Sequence, residues 1–171
     1  LNSHANTNWE PYALELLAGI LDGGDSTRLK RNLVKGKEVA TSAGAGYSAG
    51  SRMESLFELD AIPATGKSID VVYAALMEEL VDLKEQAVSS LELDRVKNQI
   101  IASSVYEKDS IFYQAVKLGQ AEATGLGWRE EENYVKRIKQ ITPLQIQQVA
   151  QKYLVPHGMT IAVLEPQDES K

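Results

Sequence analysis

The sequence contains no cysteine, which excludes a disulfide framework, a thiolate zinc site and a cysteine nucleophile. Histidine is scarce: the two present, His4 and His157, are far from the four-residue spacing that lets one helix aim two imidazoles at a metal. His4 lies in a polar start and His157 in a Pro-His-Gly turn, so neither is expected to bind metal. Long apolar runs are missing as well, and none approaches the roughly 18 residues of a membrane-spanning helix. The opening Leu1-Asn2-Ser3-His4-Ala5-Asn6 has no basic stretch followed by an apolar one, so it does not read as a signal peptide. It also lacks an initiator Met, as expected of a piece of a longer chain. Finally, positive charge is in deficit. With 24 acidic and 18 basic residues the net charge is −6, whereas nucleic-acid affinity comes largely from cations that neutralise phosphate. The densest basic group, Arg28, Lys30, Arg31, Lys35 and Lys37, reads as a solvated helix face.

What remains is the make-up of a globular protein. A chain of 171 residues suits one domain, able to bury roughly two thirds of its unfolded surface. Its 43% hydrophobic and 25% charged residues argue against wholesale disorder. Glu10-Pro11 opens a helix whose Leu14, Leu17, Ala18 and Leu21 share a face, and Gly23-Gly24 stops it. Asp25 or Ser26 can cap a short second helix carrying Leu29 and Leu33 and ended by Gly36. From Val39 to Ile62 small and β-prone residues predict a hairpin, with Phe57, Leu59 and Ala61 alternating with Glu58 and Asp60. Ile69, Val72, Tyr73, Leu76, Leu80 and Leu83 keep helical rhythm, leaving Glu78, Glu79, Asp82 and Lys84 for the wet side. Ser89 and Glu92 form a capping-box pattern for the next helix, and Thr142 and Gln145 form another for the last. Between them, helices are expected from Asp109 or Ser110 to Gly125 and over Trp128 to Ile141. Met159 to Leu164 reads as a buried apolar strand, and residues 167–171 as a loose tail. The fold class expected is α+β, an antiparallel or mixed sheet covered by several helices, with at least one strand more than these three at or before the start.

Several chemical motifs are approached and missed. Thr65-Gly66-Lys67-Ser68 matches the end of a phosphate-binding loop, but Ala61 stands where its upstream glycine is needed, so a turn with Ser68 as helix cap is the better reading. Gly44, Gly46 and Gly50 are one residue out of register for a dinucleotide loop, and no helix follows them. No serine lies in G-x-S-x-G. The carboxylate runs Glu78-Glu79 and Glu130-Glu131-Glu132 fall on helix faces or at a helix start, where acid favours the dipole.

Longer patterns do carry information. Ala13 to Leu29, ALELLAGILDGGDSTRL, resembles the pattern AL-x-x-L-x-x-IL-x-GG-x-S-S-R-L of the insulinase-like M16 metallopeptidases, relatives of the mitochondrial processing peptidases. Ser90 to Lys97, SLELDRVK, is similar to that family's t-x-x-E-L-x-r-a-K. Ile141-Thr142-Pro143, Val149 to Leu154 and Val163 to Pro166 resemble its ending. These segments occur in the family's order across nearly the whole chain, which resembles the C-terminal, non-catalytic domain of such a peptidase, short of its first strand.

The resemblance implies that zinc sits in the N-terminal half of the parent, held by H-x-x-E-H and a distal glutamate, and that no zinc ligand, cofactor or catalytic residue lies in this chain. It implies a wall of a peptide-holding chamber, with the N-terminal catalytic domain of the same chain or a paired subunit as partner, peptide as substrate, and a second copy as a further candidate partner. A structural or assembly subunit of the same fold is the alternative. Related bacterial proteins are often exported, which leans towards the periplasm. The family's C-terminal domains often grip substrate with the arginine and tyrosine of L-R-E-x-x-G-L-A-Y. Aligning Leu33 and Ala40 places Val34 and Thr41 at those two positions, so neither grip is present.

Overall fold

A computed structural model describes residues 8–51 and 55–164, excepting the side chains of residues 130 and 131. His4 and the expected tail at 167–171 therefore lie outside the described residues. The elements are α1 (Glu10–Leu21), a π-helix (Lys30–Gly36), β1 (Ala40–Tyr47), β2 (Phe57–Pro63), α2 (Ile69–Glu85), α3 (Ser90–Glu107), α4 (Ile111–Thr124), α5 (Trp128–Gln140) and α6 (Pro143–Tyr153).

Helix α1 is the hub. Its sequence EPYALELLAGIL is apolar on nearly every side, the mark of a helix buried all round. Leu14, Leu16, Leu17, Ile20 and Leu21 are all fully buried. It packs against α3, α5, α6 and β1, more than the single face expected from its spacing. The helix stops where the chain cannot carry side chains: a Cβ on Gly23 would lie 2.5 Å from the Gly19 carbonyl oxygen, and Gly24 has φ +141°. The following turn then docks onto α3. Arg28 Nε and Nη2 donate to the two Glu92 carboxylate oxygens at 2.9 and 2.8 Å, and Arg95 Nη1 donates to Ser26 Oγ at 2.6 Å.

These contacts correct two sequence readings. Arg28 is not part of a solvated face, because its side chain and that of Glu92 are each only 16% exposed. Nor is Glu92 the reciprocal half of a capping box. Ser89 Oγ accepts from Glu92 N at 3.2 Å, but the Glu92 carboxylate turns to a guanidinium, which binds it more strongly than one backbone N–H would. The Thr142–Gln145 box, by contrast, is complete. Glu79 is a third correction: expected on the wet side of α2, it is 4% exposed. Asn32 compensates, its amide donating to both carboxylate oxygens at 2.8 and 2.9 Å. The π-helix brings Asn32 there, its wide turn closed by Lys37 N donating to Asn32 O at 2.8 Å.

β1 and β2 pair antiparallel, with Tyr47 opposite Phe57 and Gly44 opposite Asp60. Ala43, Ala45 and Tyr47 with Phe57, Leu59 and Ala61 pack inward against the core, while Glu58, Asp60 and Ile62 face out. The fold is α+β as expected, but among the described residues the sheet has two strands, not three. The expected strand at 159–164 is not formed. Met159, Ile161, Val163 and Leu164 are exposed rather than buried, Leu164 by 93%. Apolar content alone does not make a strand, because its backbone groups need a neighbouring edge, and no described segment supplies one to 159–164.

Helix α4 is the outlier, whereas α5 packs on α1 and α3 and buries Ile138 in the core. Ser110, rather than Asp109, caps α4, and Gly125 ends it in the left-handed conformation at φ 79°. α4 leans chiefly on α5 and leaves Ile111, Phe112, Tyr113, Val116 and Leu118 exposed. Lys97 ties the far end of α5 to α3, donating to the carbonyls of Lys139 and Ile141 at 3.0 and 2.6 Å, as a cation should at a helix C-terminus.

Candidate functional site

Among the described residues, no group of three or more His, Cys, Asp or Glu could hold a metal ion, and His157 is exposed in the turn after α6. The described residues do not fit the zinc that the sequence resemblance assigns to another half of the parent. The Thr65–Ser68 stretch is a turn at Gly66 (φ 78°) followed by Ser68 capping α2, so it forms no phosphate cradle. No helix among the described residues is long and apolar enough to cross a membrane.

The two positions that the resemblance aligns with the family's arginine and tyrosine, Val34 and Thr41, lie close in the chain, on either side of one tight connection. Val34 sits half-buried in the π-helix and packs against the core. Thr41 is exposed on β1, its hydroxyl donating across the hairpin to Ile62 O at 3.3 Å. Between them, Glu38 takes a left-handed φ of 51°, and Val39 N donates back to Leu33 O at 3.0 Å.

One concave feature stands out. A cleft of about 280 Å³ opens where the end of β1 meets α1, α4 and α5, lined by Tyr12, Glu15, Tyr47, Lys117, Thr124 and Tyr134 among others. Tyr134 donates its hydroxyl to Glu15 Oε1 at 2.5 Å, which orients the carboxylate. The Tyr12 and Tyr134 rings lie 6.0 Å apart at 54°. Lys117 Nζ stands 5.8 Å from the Tyr134 ring centre, and Arg137 is the same distance from that of Tyr12. Burial pushes the Tyr47 phenol above its ordinary pKa, and the Glu15 and Glu10 charges add to this against a hydrogen bond with Ser55. Such walls can hold a side chain by stacking and hydrogen bonding, but they contain no activated nucleophile. Sequence reading missed this grouping. Glu15 and Tyr134 are 119 positions apart, and in linear order each is one residue of an ordinary helix. The only signal was aromatic residues within two helices whose remaining faces are accounted for.

Among the described residues, no backbone hydrogen bond reaches residues 41–47 from the side away from β2.

The comparisons with known proteins agree on the setting of these features. Residues 4–100, more than half of the chain, match the model of the peptidase M16 inactive domain. No curated protein matches the sequence. Among solved structures, the inactive peptidase domain of a Bordetella parapertussis protein provisionally named a zinc protease is similar at 24% identity and a TM-score of 0.78, covering 96% of this chain and 89% of its own. A Bordetella pertussis protein provisionally named a zinc protease is similar at 21% identity and TM-score 0.77, covering 92% of this chain and 84% of that one. A Helicobacter pylori protease is similar at 21% identity and TM-score 0.80 over 88% of this chain, which spans only 36% of that protein.

Proposed function

This chain belongs to the peptidase M16 inactive-domain family, and from that premise we propose that it forms one wall of the peptide-holding chamber of a bacterial zinc endopeptidase, opposite the half that carries the metal. The observation that carries the reading is the family match over residues 4–100 in a chain whose described residues offer no metal-ligand cluster. Zinc, when bound in the opposite half, supplies the activated water; the part of this chain is to bound the space in which an extended peptide lies. Domain organisation follows: one domain over residues 1–171, completed by strand pairing with an earlier part of the parent, and partnered by the catalytic half in the same chain or in a paired subunit.

A second reading, a structural or assembly subunit without peptidase action, is favoured by Val34 and Thr41, since Val34 has no side-chain donor and the short Thr41 hydroxyl, which donates to Ile62 O, lacks the reach and ring of a tyrosine. Peptide hydrolysis by the parent and by this chain, with and without a zinc chelator, separates the two. The chamber reading expects chelator-sensitive hydrolysis by the parent and none by this chain. Inactivity of both, with no zinc in the parent, would favour the structural subunit.

A further inference from the structure

Two sides of α4 face the rest of the chain. Lys117, Ala121 and Thr124 line the cleft towards α1 and α5. Tyr113, Lys117 and Leu118 border a hollow beside the end of α3, where Lys117 Nζ meets Glu107 Oε2 at 2.6 Å. At about 100° per residue the opposite side falls to Ile111, Phe112, Ala115, Val116, Gly119 and Ala123, all of them exposed. Glu122, at the margin of that side, is turned along the helix, and Trp128 N donates to its Oε1 at 2.8 Å. Gly119 lies at the centre. A glycine inside a helix costs about 0.5–1 kcal/mol relative to alanine, so something should require it. Its backbone φ is not positive, and no described atom lies within 4 Å of where its Cβ would stand. Gly19 makes the contrast, since there a Cβ would strike Val96 Cγ1 at 2.7 Å. Nothing described within the chain needs the notch at Gly119, whereas a second backbone closing on it from outside would.

We propose that a second copy of this chain docks on α4, the two α4 helices crossing antiparallel about a twofold axis at Gly119. Three observations select that occupant. The first is self-complementarity, which a twofold interface demands. An antiparallel crossing at Gly119 sets Ala115 of one copy against Ala123 of the other and the reverse, so small residues meet along the whole approach, and Phe112 reaches past the notch to the other copy's turn at Gly125. The second is charge. Two chains of net charge −6 repel over most of their surface and meet at least cost where acids are absent. This side of α4 brings no like charges together, because the Glu122 carboxylate is held at the start of α5, and the antiparallel arrangement places opposite ends of the two helix dipoles side by side. The third is area. A 14-residue helix carrying Ile111, Phe112 and Val116 exposes several hundred square ångströms of apolar surface, and two copies together come close to the roughly 1,200 Å² at which stable interfaces begin. The dimer is accordingly weak, with a dissociation constant of about 10–100 μM.

Sedimentation equilibrium of this chain from about 1 μM to about 1 mM, with amide hydrogen exchange at both ends of the range, provides the test. The mass should rise from that of the monomer towards twice that value, and the α4 amides should exchange more slowly at the high end while those of α1 stay unchanged. Gly119→Leu is the decisive variant. Leucine favours helix over glycine, so the monomer keeps α4, yet the filled notch holds the two backbones apart and should weaken association at least tenfold. Phe112→Glu, which sets an acid on the face, should do the same, and circular dichroism of both variants should match that of the native chain. A chain that stays monomeric at about 1 mM, or a dimer that Gly119→Leu leaves intact or strengthens, would overturn the proposal. So would α4 amides in the full-length parent that are protected equally at every concentration, since the other half of the same chain would then hold the face.

Discussion

Replacing Arg28 with alanine is expected to lower the unfolding free energy by about 3 kcal/mol, the scale for removing one member of a largely buried ion pair. The pair is bidentate, at 2.9 and 2.8 Å, with both side chains 16% exposed. Truncating the arginine leaves a mostly desolvated carboxylate at the start of α3, whereas the double change Arg28→Met with Glu92→Leu should recover most of the loss. The pH dependence carries the same signature. Burial alone would raise the Glu92 pKa, but the hydrogen bonds and charge of Arg28 outweigh it and hold the carboxyl below its ordinary 4.5. The folded state thus takes up this proton less readily than the unfolded chain. The pair's stabilisation is present above about pH 4.5, and it is lost as pH falls through the lower folded value. Urea unfolding at neutral pH and near pH 3 should show that slope in the native protein. Arg28→Ala should flatten the Glu92 part of it, and an unchanged slope would show that other carboxylates dominate acid unfolding.

Gly19→Leu should cost at least as much, about 3 kcal/mol or more, because even its first side-chain carbon has no room. A Cβ at residue 19 would lie 2.7 Å from Val96 Cγ1, and Val96 is 1% exposed in the core. Gly19→Ala tests the same contact with two effects of opposite sign. Alanine in a helix interior gains about 1 kcal/mol over glycine, whereas overpacking costs about 1–3 kcal/mol. The contact is short enough, and its partner buried enough, that overpacking wins and the melting temperature falls. Adding Val96→Ala should restore part of the loss, so the double variant is more stable than additivity predicts. Additive behaviour would mean that α1 and α3 separate at no cost, contrary to the packing of α1 against α3.

The patterns that made the sequence legible turn out to be contacts. ALELLAGILDGGDSTRL and SLELDRVK were separate resemblances in linear order, and in the fold they are one junction. Arg28 meets Glu92 and Ser26 meets Arg95, 64 and 69 positions apart, while Lys97 reaches the carbonyl of Ile141, the first residue of the last motif. Helix positions were readable because caps and glycines act locally: Ser68, Ser89, Ser110 and Thr142 each bond within three residues. The strand at 159–164 was misread because strand formation depends on a partner, which no local signal reports. Glu79 was misread because the residue that makes its burial tolerable, Asn32, is 47 positions away. The cleft was invisible for the same reason, its walls coming from α1, β1, α4 and α5.

The lean of α4 chiefly on α5, with Ile111 85% and Phe112 71% exposed, means that cooperativity should not extend evenly through the chain. A helix with few buried apolar contacts opens at far lower cost than one in the core. Amides of α4 should therefore exchange with deuterium long before those of α1, and limited proteolysis should nick residues 108–124 while the junction of α1 with α3 stays intact. The protein would then behave as a firm body carrying a helix that comes and goes, and whatever settles on that helix would make the whole chain melt as one.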